Sequence, residues 1–173
     1  MMQDGYPFIF QMNDYSGADA LLEYTMQYRF KSTKSNHTYI ARGEKYLEHS
    51  YCIKYFDKAN MLSENKFSLR TGTNEARTVY YTLFRILLDV LKRDPKASFF
   101  FVGESDDKDL AGEPTRRYRV YKRFVPDLVS EESFAHKRNE ELSLYILVNK
   151  KAVADIDDYA NRLSTAVAKE LAL

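Results

Sequence analysis

The sequence has no tryptophan, one cysteine (Cys52), four prolines and six glycines in 173 residues. A single thiol excludes a disulfide framework and an all-cysteine zinc site, and Cys52 is expected as a half-buried strand residue in a reducing compartment. So few glycines leave little material for phosphate-cradling loops, and no P-loop, Gly-x-Gly-x-x-Gly or Gly-x-Ser-x-Gly pattern is present. The three histidines, His37, His49 and His136, are scattered and lack the His-x-x-x-His spacing of a zinc helix. A pairing of His49 with Cys52 as base and nucleophile is set aside, because residues three apart on a strand point to opposite faces. Charge of one sign is missing too. With 26 Lys and Arg against 25 Asp and Glu, the net of +1 offers no long-range field for nucleic acid or acidic membranes. No apolar run reaches the roughly 20 residues of a membrane helix; the longest, 79–91, is broken by Arg85 and Asp89. Residues 1–12 show no basic stretch ahead of an apolar core. The chain is expected to be soluble and cytoplasmic, with no membrane association.

What is abundant is tyrosine, 14 residues, with 11 phenylalanines beside it. Tyrosine suits half-buried sheet faces, where the ring packs and the hydroxyl finds a polar partner. The first 70 residues alternate as strands do: Tyr24, Met26, Tyr28 and Phe30 share one face, with Thr25, Gln27, Arg29 and Lys31 on the other. A turn at 34–36, a returning strand at 38–41, and a strand through Tyr51, Ile53 and Tyr55 follow. A turn at 63–66, a short strand at 67–70 and an edge strand at 7–11 complete a meander of four or five strands.

Beyond Thr71-Gly72-Thr73 the period changes. Ala76, Val79, Tyr80, Leu83, Leu87, Val90 and Leu91 recur in steps of three and four, which predicts a long amphipathic helix. Thr73 is its expected N-cap, Glu75 lies in its first turn, and Asp94-Pro95 stops it. Residues 97–102 and 142–148 read as buried strands. A helix is expected from 115 to about 124, ending before Pro126, and another from 150 onward with Ile156, Tyr159, Ala160, Leu163, Val167 and Leu171 on one stripe. The fold class is α+β, one domain over 1–173. An antiparallel meander is followed by helix, strand, helix, strand and helix, with the helices mainly on one face of the sheet.

Site chemistry concentrates between Glu104 and Arg123. On the helix, Arg116, Arg119, Lys122 and Arg123 share one arc, a binding stripe if anything here binds phosphate. Tyr118, Tyr121, Phe124 and Val125 take the opposite arc. Arg117 falls at the edge of that apolar arc and is expected to form a structural ion pair with Asp106 or Asp107. The run Asp106-Asp107-Lys108-Asp109 lacks calcium-loop spacing, so no metal site is assigned. The Thr-Gly-Thr turn, long helix, strand ending Val102-Gly103-Glu104-Ser105, and Arg116-x-x-Arg119-x-Tyr121 segment together resemble small uncharacterised bacterial families. That resemblance covers about 71–124 and implies a fold but no activity. No catalytic residue and no cofactor is assigned. The expected function is non-catalytic: binding or assembly with an unknown protein partner or by self-association as a homodimer. The alternatives are a nucleic-acid-binding accessory protein using the basic helix, which is not favoured, and a hydrolase or nuclease around Asp106, Asp107 and Arg117.

Overall fold

The computed structural model of the chain describes residues 5–63, 66, 75–103, 105 and 109–170. These form an α+β fold, divided into two compact units, Met1–Pro95 and Lys96–Leu173. Among the described residues no helix is long and apolar enough to cross a membrane.

In the first unit, β1 (Phe8–Asp14), β2 (Tyr24–Lys31), β3 (Thr38–Tyr46) and β4 (Ser50–Asp57) pair antiparallel with their sequence neighbours. The registers align Phe10, Tyr28 and Ala41 across one face and Met12, Gln27 and Arg42 across the other. The helix α1 (Ala76–Arg93) buries Val79, Thr82, Leu83, Ile86, Leu87 and Val90. Its carboxylates and cations meet the face of Phe10 and Tyr28. The segment before β1 lies tightly on this helix. Tyr6 N–H donates to Thr82 Oγ1 at 2.7 Å, and a Cβ on Gly5 would stand 2.7 Å from the Thr82 backbone nitrogen.

In the second unit, β7 (Leu144–Asn149) runs antiparallel between β5 (Ser98–Val102) and β6 (Phe134–Asn139). The helix α2 (Arg116–Leu128) places the Tyr121 ring 5.2 Å from Phe101, in the row of Tyr145 and Arg138. The helix α3 (Ile156–Glu170) packs on β7 and β6 and brings Asp157 to 2.6 Å from Lys137, one residue along β6 and so on the opposite face. Cover on both faces explains why Leu144–Asn149 is buried throughout.

Four expectations are corrected. A strand at Phe134–Asn139 adds to the helix–strand alternation of the second half. It is an edge strand carrying His136, Lys137 and Arg138, so its alternation is polar and hides it from hydropathy. The helix α2 does not stop before Pro126 but continues through it to Leu128. Proline removes one N–H near the helix end, and the burial of Val125 and Val129 on either side keeps the last turn closed, with Val129 N–H bonding Val125 O at 3.0 Å. Glu75 sits at the N-cap position of α1 rather than inside its first turn, and its side chain makes no cap bond. The return strand reaches Tyr46 rather than Ala41, through the polar run of Arg42, Glu44 and Lys45. The expected strand at 67–70, the cap at Thr73 and the stripe's last residue, Leu171, lie outside the described residues.

The junction of β5 and α2 leaves no space for a side chain. Thr115 caps α2 by accepting from Tyr118 N–H at 3.2 Å and donates its hydroxyl to Gly103 O at 2.8 Å. A Cβ on Gly103 would lie 2.6 Å from Tyr118 N and 2.3 Å from Thr115 Oγ1. Gly103→Ala is therefore expected to destabilise the protein by about 2–3 kcal/mol in urea unfolding, the cost of forcing atoms into a filled site. A loss under about 0.5 kcal/mol would show that the junction has slack.

Candidate functional site

The basic helix stripe is where the sequence puts it. Arg116, Arg119, Lys122 and Arg123 are all exposed on α2, opposite the buried Tyr118, Tyr121 and Val125. Two of the four cations are turned inward on the protein itself. Arg119 Nη1 donates to Pro114 O at 2.6 Å, and Lys122 Nζ pairs with Glu140 at 2.6 Å. Arg117 is buried, with 9% exposure, as its place at the apolar edge requires. Its expected partners Asp106 and Asp107 lie outside the described residues.

Sequence reasoning missed a series of tyrosine–carboxylate bonds between the meander and α1. Glu75 is the densest. Tyr6 Oη donates to its Oε2 at 2.8 Å and Tyr39 Oη to its Oε1 at 2.6 Å; the hydroxyls of Ser32 and Ser35 donate to the same carboxylate. Glu75 is only 4% exposed. Burial alone would raise its pKa, but the four hydroxyl donors outweigh it and hold the carboxyl at about 2. Further along the helix, Asp89 accepts from Tyr28 Oη at 2.6 Å and from Arg93 Nε at 2.7 Å. Beyond the last turn, Asp94 accepts from Tyr51 Oη at 2.8 Å. Burial pushes the Tyr28 and Tyr51 hydroxyls well above the usual tyrosine range, so both stay protonated donors.

The histidines are placed by the same logic. Between β3 and β4, Glu48 and His49 both take left-handed backbone, with φ of 52° and 61°. That conformation costs a non-glycine residue about 1 kcal/mol or more. The cost is offset where His49 Nδ1 meets Asp94 at 2.7 Å and Ser50 Oγ donates to Leu47 O at 2.7 Å. Cys52, 1% exposed, is on the face opposite Tyr51, away from Asp94 and its His49 bond. His37 Nδ1 contacts Asp57. In the second unit, burial lowers the His136 pKa. The neutral ring then accepts from Tyr145 Oη at Nδ1 (2.5 Å) and donates from Nε2 to Val129 O at 3.1 Å. Among the described residues no three of the His, Cys, Asp and Glu side chains form a group able to hold a metal ion.

Cations gather on the meander face turned away from α1. The registers place Ile9 and Arg29 in one row with Ile40 and Phe56, and Met12 in the next with Gln27, Arg42 and Lys54. Lys31 extends this face, and Asp14 and Glu44 are its carboxylates. Glu44 is held by Lys54 at 3.1 Å. Arg42 and Lys66 stack on the same Phe56 ring, 5.5 and 4.8 Å from its centre. The Arg42 Nε is buried and has no hydrogen-bond partner among the described residues.

No family model, no curated protein and no solved structure matches this chain.

The Glu75 cluster makes a pH prediction. Its pKa is depressed from an ordinary 4.5 to about 2, so its contribution to stability is complete above about 4.5 and is lost as pH falls toward 2. Urea unfolding from pH 6 to 2 is expected to show the wild type losing stability more steeply below pH 4.5 than Glu75→Gln. Parallel pH profiles would mean that the carboxylate is not held by its hydroxyls.

Proposed function

We propose that the chain is a non-catalytic binding protein, that its binding surface is the meander face turned away from α1, and that its partner is an acidic protein segment. The observation that carries this is the charge of that face: Arg29, Lys31, Arg42, Lys54 and Lys66 against Asp14 and Glu44. Ile9, 59% exposed, and Met12, 47% exposed, stand beside these cations and offer apolar contact. The mix of apolar anchors and a cationic field fits an acidic polypeptide. It fits nucleic acid less well, because single strands are bound on stacking aromatics, and on this face Phe56 is 2% exposed and the Tyr46 hydroxyl is held by Glu44. A second copy would bring a second cationic face, so self-association through this surface is opposed by repulsion. A cytoplasmic setting belongs to the same proposal. The groups that could do chemistry in the first unit support a non-catalytic reading: Glu75 and Asp94 are each engaged by several internal donors.

The basic helix is the second reading. Arg116 and Arg123 are exposed there, but the inward bonds of Arg119 and Lys122 halve the charge available to phosphates.

Fluorescence anisotropy separates the two. A labelled oligoglutamate peptide is expected to bind with Kd of about 1–100 μM, weakening between about 50 and 200 mM salt. Arg29→Glu with Lys31→Glu should weaken it at least about tenfold, and Arg116→Glu with Arg123→Glu should not. Random DNA or RNA is expected to bind no tighter than about 10 μM near physiological salt. Submicromolar nucleic-acid binding abolished by the α2 charge reversal, with no peptide binding, would overturn the proposal in favour of the helix.

A further inference from the structure

Among the described residues, Arg42 is the arginine whose buried Nε finds no hydrogen-bond partner. Arg93 is bonded to Asp89 at 2.7 Å and also stacks 3.7 Å from the centre of Phe10. Arg42 stacks on Phe56 with no hydrogen bond from its buried Nε. A guanidinium presents five N–H donors in a planar fork, and leaving a buried donor unmade is costly. The nearest same-face carboxylate along its own strand, Glu44, is taken by Lys54 and by the Tyr46 hydroxyl at 3.2 Å. Lys54 lies directly opposite Arg42 across the β3–β4 pair, a separation of about 5 Å between Cβ atoms. Lys66 shares the Phe56 ring, and burial together with the Arg42 charge lowers its pKa. Arg42 and Lys66 thus share one aromatic ring, with Lys54 opposite Arg42, and the carboxylates whose charge reaches them are Glu44, already held by Lys54, and Asp14. An anion placed between the three cations would relieve the repulsion and give the Arg42 Nε–H a partner.

We propose that Arg42 is the anchor of an oxyanion-binding site on the meander face, with Lys54 and Lys66 as its flanking charges. The ligand is a planar or tetrahedral oxyanion: a phosphoryl group, or a carboxylate such as an acidic partner would carry. The inference deepens the binding reading above and rests on the same face, but it concerns one guanidinium and a small ligand. Arg42 supplies two parallel N–H donors to two oxygens, and the lysines supply charge from the sides.

The test uses the full-length 15N-labelled protein and follows the arginine Nε–H signals while inorganic phosphate or acetate replaces chloride at constant ionic strength. A saturable shift of the Arg42 signal is expected, with Arg29 and Arg93 moving much less. Arg42→Lys keeps the charge but not the fork, and should weaken phosphate binding at least about tenfold, read from protection against thermal unfolding. Tighter binding of phosphate than of acetate assigns the ligand to a phosphoryl group; the reverse assigns it to a carboxylate; either upholds the site. No shift at Arg42, a shift that never saturates, or equal movement of every arginine overturns it. Arg29→Glu with Lys31→Glu should leave the Arg42 titration within about twofold while weakening the peptide. Failure of this site and failure of the wider surface are thereby told apart.

Discussion

A carboxylate buried without a cation is normally a liability, and the first unit is organised around one. Taking an ionised glutamate out of water costs several kcal/mol, and four hydroxyl donors on Glu75 replace the lost hydration. Those donors come from the segment before β1 (Tyr6), the β2–β3 connection (Ser32 and Ser35) and the start of β3 (Tyr39). One side chain at the start of α1 therefore gathers three pieces of chain. The N-cap position it occupies goes without a side-chain cap so that the carboxylate can reach the sheet. Asp89 and Asp94 repeat the arrangement toward and beyond the other end of α1, receiving Tyr28 and Tyr51. Four of the 14 tyrosines, Tyr6, Tyr28, Tyr39 and Tyr51, make these bonds: each ring is buried, and its hydroxyl donates to Glu75, Asp89 or Asp94.

The same economy shapes the surface. Glu75 is drawn inward and answered by hydroxyls, and Asp89 by the Tyr28 hydroxyl and by Arg93 of its own helix, so Arg29, Lys31, Arg42 and Lys54 of the meander are left for the other face. A net charge near zero thereby divides into an interior that holds carboxylates and a sheet face that holds Arg29, Lys31, Arg42, Lys54 and Lys66. Phe56 is buried beneath two of these cations, and the Nε of one of them, Arg42, is buried without a hydrogen bond among the described residues. Binding there follows from what folding leaves unanswered.

Much of this architecture was legible in the sequence. The alternation of Tyr24, Met26, Tyr28 and Phe30 against Thr25, Gln27, Arg29 and Lys31 already separates the two faces of β2, and the three-and-four spacing of Val79, Leu83, Leu87 and Val90 marks the buried side of α1. The outward arc of Arg116, Arg119, Lys122 and Arg123 and the burial of Arg117 were legible for the same reason, since helical geometry fixes the angle of every residue. Pairings distant in sequence were not. Nothing local links Glu75 to Tyr6, Ser32, Ser35 or Tyr39, which stand 36 to 69 residues away. β6 was hidden because its edge position tolerates charge, and the passage of α2 through Pro126 because burial of its flanks outweighs one lost hydrogen bond. The cationic face was visible only as polar halves of separate strands, because registers decide which of them become neighbours.

The central claim is that tyrosine hydroxyls on buried carboxylates hold α1 to the meander. A double-mutant cycle across Tyr39→Phe and Glu75→Gln at neutral pH tests it directly, because Phe keeps the packed ring and removes only the donor. A coupling of about 1–3 kcal/mol in urea unfolding is predicted, the range for a buried hydrogen bond to a charged group. Additive effects, with coupling below about 0.3 kcal/mol, would contradict it.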